Sequence, residues 1–282
     1  MYPIVKKQVL NEEVSLMEVR APLAARHARP GQFIILRVDE NGERIPLTIA
    51  DFDREKGTVT VIFQKVGATT KLLDQKNEGD SLADFVGPLG KASEFEGVHR
   101  AAVIGGGLGV AIAYPQAKAL KALGARVDLI VGFRKESLIL LEDELKAASD
   151  DLTIMTDDGS NGHKGFVTDA LRERLSAGKT YDEVIAIGPI PMMKAVCEMT
   201  RPYGIKTIVS MNSVMIDGTG MCGCCRLTVN GETRFACVDG PEFDGHEIDF
   251  DEAMARNAAY RDFERHAYEE ACNLFKGVKT DA

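Results

Sequence analysis

Asp217, Cys222, Cys225 and Cys237 have the types and spacing to hold a metal, in the pattern Asp-x4-Cys-x2-Cys-x11-Cys. A C-x4-C-x2-C run with a distant fourth cysteine is a [2Fe–2S] ligand spacing. Asp217 stands at the first position; its carboxylate matches a thiolate in formal charge but is a harder donor. Gly218, Gly220 and Gly223 would let the loop wrap a cluster and aim N–H groups at its sulfurs. A tetrahedral zinc site with the same donors is the competing reading, although zinc sites usually show paired short cysteine spacings. A ligand set using Cys224 is another. Adjacent Cys224 and Cys225 do not readily face one cluster, and Cys225 keeps the better spacing. Cys197 and Cys272 fall in predicted helices and read as buried apolar side chains.

A second constellation is Gly105-Gly106-Gly107-Leu108-Gly109, which ends a predicted strand and opens a predicted helix. Backbone without Cβ atoms can approach a pyrophosphate, and a helix N-terminus offers N–H donors and positive partial charge. Val110 departs from G-x-G-x-x-G, with Ala111 as the small residue beyond it. Asp157, in Thr156–Ser160, and the pair Gly188-Pro189 follow the third and fourth strands of this kind. Open α/β sheets bind ligands outside the carboxyl ends of their strands, so a dinucleotide accounts for all three segments. A glycine-rich turn without a ligand is the alternative. Arg134 and Lys135 follow the strand RVDLIVGF where an acidic residue would usually read the ribose. Arg134 either reads a 2′-phosphate or sits in solvent, so spacing does not choose between NAD and NADP.

The elements that must position these residues divide the chain in three. Residues 1–97 read as short alternating strands separated by turns, a small antiparallel β-barrel. Residues 98–211 alternate strands with helical stretches, including one helix over ESLILLEDELKAA, which predicts a Rossmann-like parallel sheet. Pro115 is read as falling early in its helix, where its missing N–H is tolerated. Residues 212–282 form a Gly- and Cys-rich loop segment with one hairpin, CRLTVNGETRFAC, and a terminal helix from about 251 to 275. Ala259, Phe263, Ala267 and Ala271 recur every fourth residue along that helix, a stripe expected to pack on this protein.

A net charge of −9 without Lys/Arg clusters excludes a nucleic-acid partner. No apolar run reaches membrane-span length, and the N-terminus lacks a signal-peptide core, so a cytoplasmic protein is expected. Crowded cysteines in that compartment point to metal rather than disulfides.

The order of barrel, glycine-rich α/β unit and iron–sulfur loop resembles the ferredoxin–NADP reductase superfamily along essentially the whole chain. It is most similar to the electron-transfer subunits of type B dihydroorotate dehydrogenase and of NADH-dependent reduced ferredoxin:NADP oxidoreductase, and Asp217 in place of Cys favours the latter. The resemblance implies that Arg44, Pro46, Leu47 and Thr48 hold FAD, and that Gly67, Thr69 and Thr70 contact its pyrophosphate, Thr69 replacing a family glycine. Gly87–Gly90 match the barrel's exit, and Gly105–Gly109 with Gly188–Met192 match the nicotinamide-nucleotide motifs. It further implies hydride exchange between NAD(H) and FAD and single-electron transfer through the cluster. The acceptor would be a larger flavin and [4Fe–4S] subunit, coupled to ferredoxin and NADP by electron bifurcation. A dihydroorotate-oxidising partner, or a zinc-stabilised dinucleotide sensor without redox turnover, are the alternatives. No acid/base pair is required, and His27, His99, His163, His246 and His266 read as surface or structural.

Overall fold

The computed structural model describes residues 1–260, 262–266, 268 and 269. Seven strands form the first unit: β1 (Tyr2–Val9), β2 (Val14–Arg20), β3 (Phe33–Arg37), β4 (Arg44–Asp53), β5 (Thr58–Gln64), β6 (Ser81–Leu82) and β7 (Asp84–Leu89). They pair antiparallel in the order β6-β1-β2-β5-β4-β3-β7. The two outer strands are separated in sequence only by Ala83, whose N–H donates to the Arg37 carbonyl at 3.1 Å. The sheet therefore nearly closes into a barrel, which leaves few unpaired edges. Met17, Ile34, Leu36 and Phe63 fill its interior. Two helices interrupt the strands expected here, α1 (Pro22–His27) and α2 (Ala68–Gln75). Both are too short for a 3.6-residue period to stand out.

The second unit alternates β8 (Arg100–Gly106), α3 (Gly109–Ala122), β9 (Arg126–Phe133), α4 (Glu142–Ala147), β10 (Asp151–Thr156), α5 (Val167–Ser176), β11 (Glu183–Ile187), α6 (Ile190–Thr200) and β12 (Lys206–Ser210). The parallel order is β10-β9-β8-β11-β12. β8 and β11 are buried almost throughout, as strands covered on both faces must be. The order reverses at β8, so the switch point lies between the ends of β8 and β11, beside the glycine loop.

Two expectations about helices are corrected. ESLILLEDELKAA is a 3-10 turn over Glu136–Leu138 followed by α4, because Leu141 takes a left-handed conformation, φ 58°, between them. Pro115 lies in the middle of α3 rather than near its start. An interior proline removes the N–H that would reach the carbonyl of Ala111.

The last segment supplies the hairpin β13 (Arg226–Val229) and β14 (Glu232–Phe235), then β15 (Glu242–Asp244), then α7 (Phe250–Ala258). β15 pairs antiparallel with β12 and becomes the sixth strand of the α/β sheet. Cys225, Leu227 and Cys237 share one apolar core with Phe33 and Ile35 of the barrel and Met193 of α6. The expected stripe does not pack as predicted: Ala259 is exposed and Phe263 is 75 % exposed. Ala267, Ala271 and Cys272 lie outside the described residues.

Glu242 joins all three parts. One of its oxygens accepts from Ser93 Oγ at 2.9 Å, on the connection after β7, and from Gln116 Nε2 of α3. Burial, with the charge of Glu183 nearby, pushes this carboxyl up to about 7. The folded chain thus holds a proton that the unfolded chain releases between pH about 4.5 and about 7, and stability is lost as pH rises through that window. In urea unfolding, Glu242→Gln should gain on the native chain as pH increases, by on the order of 2 kcal/mol from pH 5 to 8. A constant difference would show that this carboxyl does not titrate in the window.

The other expectation concerns α3. A Cβ on Gly109 would lie 2.3 Å from the carbonyl oxygen of Ile187. Gly109→Ala should lower the urea-unfolding free energy by about 1–3 kcal/mol, and an unchanged midpoint would show that α3 withdraws from β11 at no cost.

Candidate functional site

A cavity of about 1070 Å3 opens at the switch point and is bounded by all three parts of the chain. Pro46, Leu47 and Thr48 of β4 form the barrel wall. Gly106, Gly107, Leu108 and Gly109 form the opposite wall, at the start of α3. Asp157 after β10, and Gly188 and Pro189 after β11, complete the expected set. The N-cap residue of α3, Leu108, has no side-chain cap, so no side chain competes with a ligand there. Gly107 takes φ +57° and has open space where a Cβ would sit, consistent with backbone presented to a ligand. Gly105 serves packing instead: its Cβ would meet Val110 Cα at 2.9 Å, and it does not line the cavity.

Four expected flavin contacts stand outside this cavity. Arg44 Nε donates to the Ile216 carbonyl at 3.3 Å, and Arg44 Nη1 lies 4.0 Å from Asp84. The barrel arginine therefore touches the residue directly before Asp217. Gly67 is the N-cap of α2, its N–H donating to Thr70 Oγ1 at 3.0 Å, while Thr69 Oγ1 donates to Glu43 at 2.9 Å. Arg44 and this helix start are brought near each other by Glu43, one residue before Arg44.

Sequence reading missed several lining residues: Asn11 and Glu13 between β1 and β2, Phe166 before α5, and the run Met211, Asn212 and Ser213. None belongs to a motif; each reaches the cavity only through the way the barrel and the last segment pack against the α/β sheet. Arg134, weighed as a phosphate reader or a solvated side chain, is largely exposed, and its Nη2 donates to both oxygens of the Glu13 carboxylate, at 3.0 and 3.1 Å.

The four expected metal ligands occupy one loop and fall into an outer and an inner pair. Asp217 is half-buried, its carboxylate accepting from the N–H groups of Thr219 at 3.2 Å and Met221 at 3.0 Å and from Thr219 Oγ1 at 3.0 Å. Against the raising effect of desolvation, these bonds and one from Cys222 hold it down near 2. Cys222 is exposed. Cys225 and Cys237 are both 1 % exposed, and the Cys237 N–H donates to Cys225 Sγ at 3.4 Å. Burial and the neighbouring Cys225 push Cys237 up to about 12. Among the described residues no three such side chains are drawn into a finished coordination shell. The donor chemistry nevertheless fits a cluster: three thiols and a carboxylate on one loop, with a backbone N–H already aimed at a sulfur. Cys224 is half-buried and, as a free thiol, shares a hydrogen bond with Cys222. Cys197 is buried in α6, where burial pushes it up to about 12, so it is the apolar filler expected. His246 is structural, its Nε2 lying 3.0 Å from the Ile205 carbonyl.

No helix among the described residues is long and apolar enough to cross a membrane. Residues 103–198 match the oxidoreductase NAD-binding domain, and residues 212–249 match the iron–sulfur cluster binding domain of dihydroorotate dehydrogenase B. The chain is 51 % identical to a protein of Clostridium beijerinckii known only by its position in the adh 3′ region, over 93 % of this chain and 91 % of that one. It is 47 % identical to the dihydroorotate dehydrogenase B (NAD(+)) electron transfer subunit homolog of Thermotoga maritima, over 94 % of each. A chain from the NADH-dependent reduced ferredoxin-NADP oxidoreductase structure, reported for flavin-based electron bifurcation, superposes with a TM-score of 0.90 at 45 % identity, over 96 % of this chain and 97 % of that one. The chain belongs to the family of dihydroorotate dehydrogenase B electron-transfer subunits and their homologues, oxidoreductase subunits with the ferredoxin–NADP reductase fold.

Proposed function

We propose that this chain oxidises NADH at the cavity and delivers electrons to a larger flavin and [4Fe–4S] subunit that acts on ferredoxin and NADP by electron bifurcation. The observation that carries this reading is the single cavity bounded by β4, the glycine loop and the start of the cluster segment. When bound, FAD would accept the hydride of NADH and a [2Fe–2S] cluster would carry the electrons singly. The chain's residues do the rest. Pro46, Leu47 and Thr48 would give the flavin ring a wall, and Arg44, Gly67, Thr69 and Thr70 would hold its phosphates. Gly106–Gly109, Gly188 and Pro189 give the nicotinamide nucleotide a backbone-lined wall, and Asp157 closes its rim. Asp217, Cys222, Cys225 and Cys237 would hold the cluster.

Apolar side chains around the loop support a protein partner there. Ile216, Met221 and Val238 are 49 %, 88 % and 39 % exposed, beside the exposed Cys222. The Thermotoga maritima relative supports the second reading, a dihydroorotate-oxidising partner. Co-purification separates the two, because the partners differ in mass and cofactors.

Anaerobic addition of NADH to the purified chain should bleach flavin absorbance and produce a low-temperature S = 1/2 signal. A colourless, EPR-silent protein with stoichiometric zinc would overturn the redox reading. Asp217→Ala should lower cluster retention about tenfold or more, since even indirect partners of metal sites cost that much. Asp217→Cys should keep the cluster with altered g values. An unchanged EPR spectrum in both variants would remove Asp217 from the ligand set.

A further inference from the structure

The turn between β1 and β2 crosses from the barrel to the connection after β9, and Asn11, Glu12 and Glu13 each make a bond there. Asn11 Nδ2 donates to the Leu138 carbonyl at 3.1 Å. Glu12 binds Lys135 Nζ at 2.7 Å. Glu13 takes Arg134 Nη2 on both oxygens, at 3.1 and 3.0 Å, and Gln64 Nε2 holds one of those oxygens at 2.6 Å. The turn itself is pre-set: Asn11 Oδ1 accepts from the N–H groups of Glu13 and Val14, both at 2.9 Å, and the Lys65 N–H binds the Glu13 carbonyl at 2.9 Å. Asn11, Glu13 and Arg134 all line the cavity.

The end of the second strand in a dinucleotide-binding unit is where the adenosine ribose is read, by an acid for a 2′-hydroxyl or a cation for a 2′-phosphate. On sequence this chain offers cations, Arg134 and Lys135. In the fold those cations are already matched by acids from another unit. We infer that Glu12 and Glu13 set the nucleotide preference of this site: they occupy Arg134 and Lys135 and so exclude the 2′-phosphate of NADP(H), leaving NAD(H) as the ligand.

Stability does not explain the arrangement. Arg134 is 68 % exposed and Lys135 46 %, and ion pairs in such positions contribute little to folding. Their effect is on charge. A 2′-phosphate brings nearly two negative charges to a rim that also carries Asp157, beside Asp158, whose N–H donates to the Arg134 carbonyl at 3.3 Å. Arg134 Nη2 is already bound to both oxygens of Glu13, and Gln64 keeps that carboxylate in place as a like charge beside any phosphate that approaches the guanidinium. A ribose hydroxyl makes no such demand. Acid-for-ribose discrimination is thus supplied here by the barrel, not by the strand that carries the cations.

This inference rests on the reading that NADH reduces a flavin in the cavity, and one experiment separates the two. In the full-length, flavin-loaded chain, anaerobic flavin bleaching is followed with NADH and with NADPH, and the ratio of their second-order rate constants is taken. The native chain should favour NADH, and Glu12→Gln/Glu13→Gln should shift the ratio toward NADPH by about tenfold or more. Adding Arg134→Ala to that variant should reverse the shift. An unchanged ratio in the Gln variant, with NADH bleaching intact, overturns the inference. If the Gln variant does not fold, Arg134→Ala alone decides: a loss of NADPH rate larger than that for NADH would show the cation already reading the phosphate, and an unchanged ratio is the result expected. Failure of NADH to bleach the native chain takes down the hydride-transfer reading and this inference with it.

Discussion

The architecture depends on one contact in which backbone meets backbone. α3 enters the switch point against the end of β11, and the space there admits no Cβ on Gly109. Because the helix can come so close, its first turn forms a wall of the cavity instead of standing above it. The cavity's depth, and the positions of Asp157, Gly188 and Pro189 around it, follow from that approach.

A second consequence is that the three stretches of sequence are not three bodies. The cluster segment gives its last strand to the α/β sheet, and its buried cysteines share a core with β3 of the barrel. Arg44 reaches from the barrel to the residue before Asp217. Glu242 collects bonds from the connection after β7 and from α3. The β4 wall, the glycine-loop wall and the cysteine loop are therefore held at fixed separations by ordinary packing. That suits a chain whose business is electron transfer, where distance and surroundings are what the protein controls.

Much of this was legible in the sequence because the signals were local. Glycines at a strand–helix junction, alternating strands and helices, and close cysteine spacing each depend on residues within one turn or one loop. The illegible parts depended on distant residues. α1 and α2 are too short to show a period, and the break at Leu141 is a single backbone conformation inside a helix-like run. The middle of α3 tolerates Pro115, which local rules assign to a helix start. The role of Arg134 was unreadable because its partner, Glu13, is 121 positions away. The stripe on the terminal helix had the right period, yet periodicity does not say what an apolar face packs against, and Phe263 faces outward.

β15 also bears on how the chain is made. β12 is a short run of β-branched residues, Thr207, Ile208 and Val209, with Thr207 and Val209 fully buried. During synthesis it emerges about thirty residues before Glu242–Asp244, the strand that covers its outer side. Until those residues leave the ribosome, one flank of the sheet is an open template for pairing with another nascent chain. The stretch that must emerge in between is the cysteine loop, so the interval in which that flank stands open is also the interval in which the proposed metal ligands first become available.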